Sequence, residues 1–201
     1  MKNLLCIKEQ MILPIRRKAC LVIFSSIVVS LCLIVTIFIT YSLADTSKYA
    51  LNFGVQEYTV PADAKDFTLK DINNRNISLK NFRGKIVILN FWATWCGPCR
   101  QEMPSMERLH QQFKDRGLVI LAIASGDDTK SVNSFITKYN LTFPALIDKD
   151  LEVTDIYKVW ALPTTYFINS KGQIIGVAQG SRDWNTKEAT QYITSIFKAS
   201  I

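Results

Sequence analysis

Two nearly continuous apolar runs constrain the fold of this chain more than any other feature of its sequence. They are KIVILNFWA, residues 85–93, and LVILAIA, residues 118–124, and a helix-like segment lies between them. A strand whose successive residues are all apolar has to be covered on both faces, as the central strands of an α/β sheet are. Strand–helix–strand alternation followed by a final hairpin therefore predicts a three-layer α/β/α sandwich with a mixed central sheet.

The remaining predicted elements are shorter. Residues 58–82 alternate loosely, and a turn at residues 73–76 separates the runs DFTLKDI and NISLKNF, which predicts a hairpin. Strands are also predicted over residues 143–148, 164–169 and 173–180, and helices over residues 97–116, 129–139, 150–158 and 184–199. No internal repeat or low-complexity tract interrupts this pattern.

The N-terminal part of the chain has a different composition. Residues 19–44 are 26 uncharged, mostly apolar residues. At about 1.5 Å per residue a helix of this length crosses a hydrocarbon core of about 30 Å. Residues 1–18 hold five basic residues and one acid, which by the positive-inside rule places them in the cytoplasm. The sequence therefore predicts a transmembrane anchor over residues 19–44, a tether over residues 45–57 and a domain outside the cytoplasmic membrane over residues 58–201. A signal peptide cleaved after Ala44 is the alternative.

The net charge does not indicate a nucleic-acid-binding protein. The chain carries +7 at pH 7, of which residues 1–18 account for +4. The remaining +3 is spread over residues 45–201 without a basic stripe. We therefore expect no nucleic-acid partner.

Cys96 and Cys99 form a C-x-x-C pair directly after the first apolar run, and they are the only cysteines in the predicted exported part. As a staple the pair closes too small a loop to add much stability. A closed zinc site needs about four ligands, and the only histidine, His110, lies about 16 Å further along the predicted helix. Redox chemistry fits better, because a helix start favours a thiolate at Cys96 that can attack a partner disulfide. Cys99, one turn on, would then resolve the mixed disulfide.

The motifs FWATWCGPC and LPTTYFI resemble those of the thioredoxin superfamily over residues 60–201. The anchor, the extra segment at residues 129–148 and Glu102 make the chain similar to the TlpA/ResA branch of membrane-tethered thiol-disulfide oxidoreductases. The resemblance implies a cis bond before Pro163 and a substrate strand that pairs with the backbone of Leu162. Three residues of the first motif complete the predicted substrate site: Trp95 as a wall, Gly97 for close approach of a partner backbone, and Pro98 as a helix-starting proline.

A carboxylate close to the cysteines is explained by the same resemblance. Asn90 stands where thioredoxin has a buried aspartate, and Glu102 matches the active-site glutamate of the TlpA/ResA branch. The hypothesis is that Glu102, partly desolvated and with a raised pKa, takes the proton from Cys99 as it attacks. The alternative makes Glu102 a solvated acid in the first turn of the helix.

The resemblance also implies a direction and partners. The Gly-Pro dipeptide matches reducing thioredoxins, so the expected reaction is reduction of disulfides in exported proteins, with apocytochrome c as the leading candidate. A membrane thiol donor of the DsbD/CcdA type would restore the dithiol, because the sequence has no nicotinamide or flavin motif. No cofactor beyond the redox-active Cys96–Cys99 disulfide and no metal are expected.

Alternatives to this function remain open. One is a disulfide-forming oxidant, and a second is a Cu(I) carrier that uses the same two thiolates. A third, a thiol peroxidase of the same superfamily, is disfavoured because Cys96 lies within the C-x-x-C pair.

Three residues outside the motifs receive no chemical role. His110 is interpreted as structural. Trp160, three residues before Pro163, is either part of the core or an apolar rim for partner docking. Asp127 is predicted to be a solvated turn charge.

Overall fold

The computed structural model describes residues 29–36 and 46–199. These residues belong to two separate compact units, the first holding residues 29–36 and the second holding residues 46–199. Residues 29–36 are helical. Most of the predicted anchor over residues 19–44 lies outside the described residues, and so do residues 1–18. Within the described residues, no helix combines the length and the apolar character needed to cross a membrane.

The domain is built on a single mixed sheet that has eight strands in the described part of the chain. In chain order the strands are β1 (Gln56–Asp63), β2 (Thr68–Asp71), β3 (Asn76–Ser78), β4 (Ile86–Trp92), β5 (Leu118–Ser125), β6 (Ala145–Asp148), β7 (Thr164–Ile168) and β8 (Gln173–Gln179). Across the sheet the order is β1-β8-β7-β4-β5-β6-β2-β3. The neighbours β4/β5 and β5/β6 are parallel and the other pairs are antiparallel. The predicted mixed sheet is confirmed.

Helices lie on both faces of the sheet, but unequally. They are α1 (46–53), α2 (Gly97–Phe113), α3 (Thr129–Tyr139), α4 (Glu152–Ile156) and α5 (Lys187–Ala199). One core cluster joins the sheet to buried residues of α1, α2, α3 and α5. On the other face, the second cluster includes residues of α4 and of the 3-10 turn Leu79–Phe82. The helix predicted over residues 150–158 is shorter in the structure, where α4 covers only Glu152–Ile156. Leu151 and Lys158, on either side of α4, have positive φ angles, which interrupt the helix.

The central strand β4 shows why its sequence is a continuous apolar run. All of its residues are buried. Ile86 and Ile88 point into the cluster beneath α2, whereas Val87 and Leu89 point into the cluster on the opposite face. Because successive side chains of a strand alternate between faces, only an apolar residue at nearly every position satisfies both layers.

The predicted tether over residues 45–57 is not seen over its described part, residues 46–57. Residues 46–53 are helix α1, and Ala50, Phe53 and Val55 are buried in the main core cluster. Strand β1 then starts at Gln56 and pairs antiparallel with β8. The prediction was wrong because three buried residues at this spacing give neither a helical nor a strand period in the sequence.

The sheet topology brings three chain segments to one edge. Since β4 and β5 are parallel, their carboxyl ends meet there, with Trp92 opposite Ala124. Strand β7 runs antiparallel to β4, so its first residue, Thr164, lies opposite Phe91. The loops that follow β4 and β5 and the segment that precedes β7 therefore converge, and the two cysteines lie in this region.

Candidate active site

The cysteine pair occupies the first turn of α2. Cys96 is the N-cap residue, and its Sγ accepts a hydrogen bond from the backbone N–H of Cys99 at 3.2 Å. The two residues form a disulfide. Pro98 lies in the first turn of the helix, where its missing N–H has no intrahelical partner to lose. Unpaired amides and the helix dipole at this position favour a thiolate at Cys96 when the pair is reduced.

The two cysteines differ in access to solvent. Cys99 is completely buried, whereas Cys96 is 6% exposed and lines an open groove of about 490 Å³. The groove also contains Trp95, residues 159–162 and Leu151 of the neighbouring segments. Only Cys96 is therefore placed to meet an incoming disulfide.

Two tryptophans form the rim of this groove. Trp160 is 91% exposed and Trp95 is 68% exposed, values that are exceptional for so large an apolar side chain. Trp160 is therefore not part of the core. An exposed apolar rim next to a reactive sulfur is typical of a surface that binds another protein segment.

The segment before β7 also lines the groove. The peptide bond between Leu162 and Pro163 is cis, as the resemblance predicts. Leu162 lines the groove together with Cys96, and the Pro163 carbonyl accepts a hydrogen bond from Gly180 N at 2.9 Å. Leu162 and Cys96 therefore line one groove, and the pairing of a substrate strand with the backbone of Leu162 stays a prediction.

Glu102 lies one turn beyond Cys99 and is only 2% exposed. Its Oε1 accepts a hydrogen bond from Asn90 Nδ2 at 3.0 Å. Its Oε2 accepts two more, from the Trp184 indole N–H and from the backbone N–H of Arg182, both at 3.2 Å. The interpretation of Glu102 as a solvated acid of the first turn is therefore wrong, and the predicted burial is confirmed.

The surroundings of Glu102 act on its pKa in opposite directions. Burial raises the pKa because it removes water from the charged carboxylate. The hydrogen bonds from Trp184, Asn90 and Arg182, together with the positive charge of Arg182, lower it, but burial outweighs them. The pKa of Glu102 is therefore raised above its ordinary value of 4.5, toward the range in which a carboxylate can exchange protons near neutral pH.

Asn90 positions the glutamate but carries no proton itself. It is fully buried on β4, and its Nδ2 also donates a hydrogen bond to Thr165 Oγ1 at 2.9 Å. One amide therefore ties the glutamate of α2 to strands β4 and β7. An uncharged residue here avoids the repulsion that two buried carboxylates in contact would create.

Comparison with known proteins agrees with this geometry. A profile of the AhpC/TSA family matches residues 60–177. The thiol-disulfide oxidoreductase ResA of Bacillus subtilis is 38% identical over 140 residues, which are 70% of this chain and 78% of ResA. ResA of Oceanobacillus iheyensis is 44% identical over 128 residues, 62% of this chain and 67% of that protein. The chain belongs to the ResA-like thiol-disulfide oxidoreductases of the AhpC/TSA family.

Solved structures show the same fold. The crystal structure of StoA from Bacillus subtilis matches 67% of this chain and 98% of StoA, with a TM-score of 0.56 and 28% identity. A thioredoxin-family thiol:disulfide interchange protein from Chlorobium tepidum matches 69% of this chain and 99% of that chain, with a TM-score of 0.61 and 24% identity. The predicted thioredoxin-like fold is confirmed, and as a thiol-disulfide oxidoreductase the enzyme acts on disulfide-bearing substrates.

Two residues that surround Glu102 in this ResA-like site carry no signal in the sequence. Arg182 and Trp184, which donate to Glu102, follow it by 80 and 82 residues. No motif marks them, and Trp184 was predicted to begin the last helix, which in fact starts at Lys187. Only the folded return of the chain after β8 brings them to α2.

The burial of Asp127 also differs from the prediction. It is 5% exposed rather than solvated, and it follows β5 at the edge where the active-site loop leaves β4. Its two carboxylate oxygens accept hydrogen bonds from Thr94 N at 2.6 Å and from Thr94 Oγ1 at 2.7 Å. Asp127 therefore fixes the loop two residues before Cys96.

The structure also bears on the zinc site considered for Cys96, Cys99 and His110. Over residues 29–36 and 46–199, no three His, Cys, Asp or Glu side chains form a group that could hold a metal ion. His110 lies edge-on to the ring of Phe143, with 6.0 Å between the ring centroids, and burial lowers its pKa. This packing suits the structural interpretation of His110.

Proposed function

We propose that the chain is a membrane-anchored enzyme of the extracytoplasmic space that reduces disulfides in exported proteins, with apocytochrome c as the leading substrate. The observation that carries the proposal is the arrangement of Cys96 in an open groove, Cys99 buried behind it, and Glu102 one helical turn further on. The uncharged run at residues 19–44, with basic residues before it, supports the anchor and its orientation.

The reaction starts from the reduced pair. The Cys96 thiolate attacks one sulfur of the substrate disulfide, and the other substrate sulfur leaves and takes up a proton. Cys99 then attacks the Cys96 sulfur of the mixed disulfide and releases the second substrate sulfur as a thiol. The products are a substrate with two thiols and an enzyme with a Cys96–Cys99 disulfide.

Glu102 acts in the second step. The Cys99 thiol is buried and a poor nucleophile until it loses its proton, since the thiolate is the attacking species. A buried carboxylate of raised pKa on the next turn of the same helix is a suitable acceptor. Loss of such a base costs about 10²–10⁴-fold in rate, and we expect a loss in this range for resolution in Glu102→Gln.

The oxidised enzyme then needs a source of electrons. The sequence contains no nicotinamide or flavin motif, so we assign re-reduction to a membrane thiol donor of the DsbD/CcdA type. The donor would use the same groove, because Cys96 is the sulfur of the pair that lines it.

The reduction potential of the full chain tests the direction of the reaction. The protein in detergent is equilibrated with graded thiol/disulfide buffers, and free thiols are trapped and counted, with Cys96→Ser as the control that cannot form the disulfide. We expect a midpoint near that of thioredoxin, about −270 mV, as a reductant requires. A midpoint near about −120 mV would contradict the proposal and make the enzyme a disulfide-forming oxidant.

A further inference from the structure

The side chain of Arg182 connects two distant parts of the domain. Its Nη1 donates hydrogen bonds to the carbonyls of Phe53 at 2.8 Å and Gly54 at 3.1 Å, at the end of α1. Its Nη2 donates to the carbonyls of Gln179 at 2.9 Å and Gly180 at 3.3 Å, at the end of β8. Hydrogen bonds from one guanidinium therefore link α1 to the loop that follows β8.

The same loop holds the glutamate of the active site. The backbone N–H of Arg182 and the indole N–H of Trp184 both donate to Oε2 of Glu102. These two bonds are the only ones that Oε2 accepts among the described residues. Any movement of the loop relative to α2 therefore changes what surrounds this oxygen.

Phe53 packs against both of these residues. Its ring lies edge-on to Trp184, with 5.3 Å between the ring centroids, and the guanidinium carbon of Arg182 lies 5.3 Å from the centroid of the same ring. Phe53 is 8% exposed. We call Phe53, Arg182 and Trp184 the clasp.

We propose that Phe53 and Arg182 are positioning residues for Glu102. Helix α1, which follows the predicted membrane anchor in sequence, then helps to hold the glutamate of the active site in place. The clasp holds the two donors on Oε2 and keeps water away from the carboxylate. This inference rests on the proposed role of Glu102 as the base for Cys99. It gives α1 a part in the reaction although α1 contributes no residue to the groove.

The two clasp residues Phe53 and Arg182 act on the acidity of Glu102 in opposite directions. Without the Phe53 ring, water would reach Oε2 and reduce the burial that raises the pKa of Glu102. Without the guanidinium of Arg182, Glu102 loses a positive charge that lowers its pKa. The charged group that faces Glu102 is Arg182 from the loop, while Asn90 on β4, Thr165 on β7 and the indole of Trp184 are neutral. We therefore expect the pKa of Glu102 to be lower in Phe53→Ala and higher in Arg182→Met.

The test uses the full chain in detergent and two variants that open the clasp. Arg182→Met keeps the apolar stem but removes the guanidinium, and Phe53→Ala removes the ring. Leu51→Ala is the matched control, because Leu51 lies on the same helix and is 78% exposed. The reduced enzyme is mixed with a model peptide disulfide, and acid quenching at successive times traps the mixed disulfide. The rate at which the mixed disulfide decays is measured as a function of pH. The indole N–H resonance of Trp184 is titrated in parallel.

We expect the acid side of the pH profile of resolution, and the Trp184 titration, to move to lower pH in Phe53→Ala and to higher pH in Arg182→Met. The plateau rate should fall by roughly 2- to 30-fold, the size expected for coupling through packed side chains. Leu51→Ala should have the wild-type rate and pH profile of resolution, and Phe53→Leu should retain a pH profile close to that of wild type. If Phe53→Ala does not fold, Arg182→Met and Phe53→Leu decide the question.

Two results would separate the failure of this inference from the failure of the proposed function. If Glu102→Gln resolves the mixed disulfide at the wild-type rate, Glu102 is not the base and the mechanism itself is wrong. The other result is that Glu102→Gln resolves the mixed disulfide slowly, while Arg182→Met keeps the wild-type pH profile of resolution and the wild-type Trp184 titration. The clasp would then be merely structural, and the proposal would be overturned.

Discussion

At the scale of single residues, the carboxylate of Glu102 is the feature that distinguishes this site. A buried carboxylate is costly unless hydrogen bonds compensate for lost water, and here three N–H donors from different parts of the chain do so. The balance leaves Glu102 with a raised pKa. The pH dependence of stability and the proposed proton transfer from Cys99 therefore involve the same carboxyl group.

This dependence predicts a pH effect on stability. Because the pKa of Glu102 is higher in the folded than in the unfolded chain, folding is favoured by protonation. This contribution is complete below the ordinary value of 4.5 and is lost as the pH rises through the folded value. In Glu102→Gln this loss should be absent, so the variant should gain free energy of unfolding relative to wild type as the pH increases. Urea denaturation from pH 4 to pH 8 with the disulfide intact measures the difference.

The control for this experiment is Glu188→Gln, which alters an exposed glutamate in the first turn of α5. The pH dependence of this variant should be that of wild type. A constant difference between Glu102→Gln and wild type across the pH range would show that Glu102 titrates as an ordinary carboxyl.

The residues of the site could be predicted only where the sequence carries a local signal. Cys96, Cys99 and Pro163 stand in short motifs, and Glu102 lies at a fixed spacing from Cys99. Arg182, Trp184 and Asp127 carry no such signal, because their partners are far away in sequence and the contact exists only in the folded chain. Hydrophobic pattern predicts which residues are buried, but it does not predict which polar groups meet.

At the scale of elements, the site depends on the loop that joins β4 to α2. Strand β4 ends at Trp92 and α2 starts at Gly97, so four residues carry the chain from sheet to helix. Within this loop Thr94 gives its N–H and its hydroxyl to Asp127, which follows β5. The parallel pairing of β4 and β5 is what places this acceptor within reach.

We predict that Asp127→Ala loosens the active-site loop. Two donors of Thr94 lose their buried acceptor, and unsatisfied buried groups cost about 1–3 kcal/mol. The free energy of unfolding should fall by this amount, and the rate of attack by Cys96 should fall with it. Asp150→Asn, at an exposed loop position, is the control. An unchanged attack rate in a destabilised Asp127→Ala would mean that the bond stabilises the fold without positioning the cysteine.

The elements themselves followed from sequence to different degrees. The helix predicted over residues 129–139 is α3 with the same bounds, because Asp128 caps its start and Asn140 ends it in a left-handed conformation. Helix α1 was missed, since its burial depends on Phe53 meeting Trp184 rather than on an amphipathic repeat. Tertiary contacts decide such short elements.

At the scale of the whole molecule, the folded domain starts earlier than its sequence pattern suggests. Helix α1 and the first residues of β1 complete the core and the sheet, and the edge strand β1 covers β8. Residues 46–55, which follow the predicted anchor in sequence, are thus integrated into the domain.

A fragment that starts at residue 58 should therefore be much less stable than one that starts at residue 46. It lacks Phe53 and Val55, and each fully buried side chain of this type contributes about 1.5–3 kcal/mol. We expect a loss of at least about 3 kcal/mol in the free energy of unfolding, measured by urea denaturation. The longer fragment with Leu51→Ala is the control, since Leu51 is exposed. Equal stability of the two fragments would contradict the assignment of α1 to the core.

The unequal exposure of the two cysteines also has a consequence for oxidative damage. An oxidant that reaches the reduced enzyme through the groove meets Cys96 first, because Cys99 has no exposed surface. A sulfenic acid formed at Cys96 has a thiol within bonding distance, since these two residues are the ones joined by the disulfide. Condensation with Cys99 releases water and regenerates the ordinary oxidised enzyme before the sulfur can pass to irreversible sulfinic or sulfonic acid. The burial that is proposed to order the exchange reaction would therefore also return an accidentally oxidised Cys96 to the disulfide form that the proposed electron donor reduces.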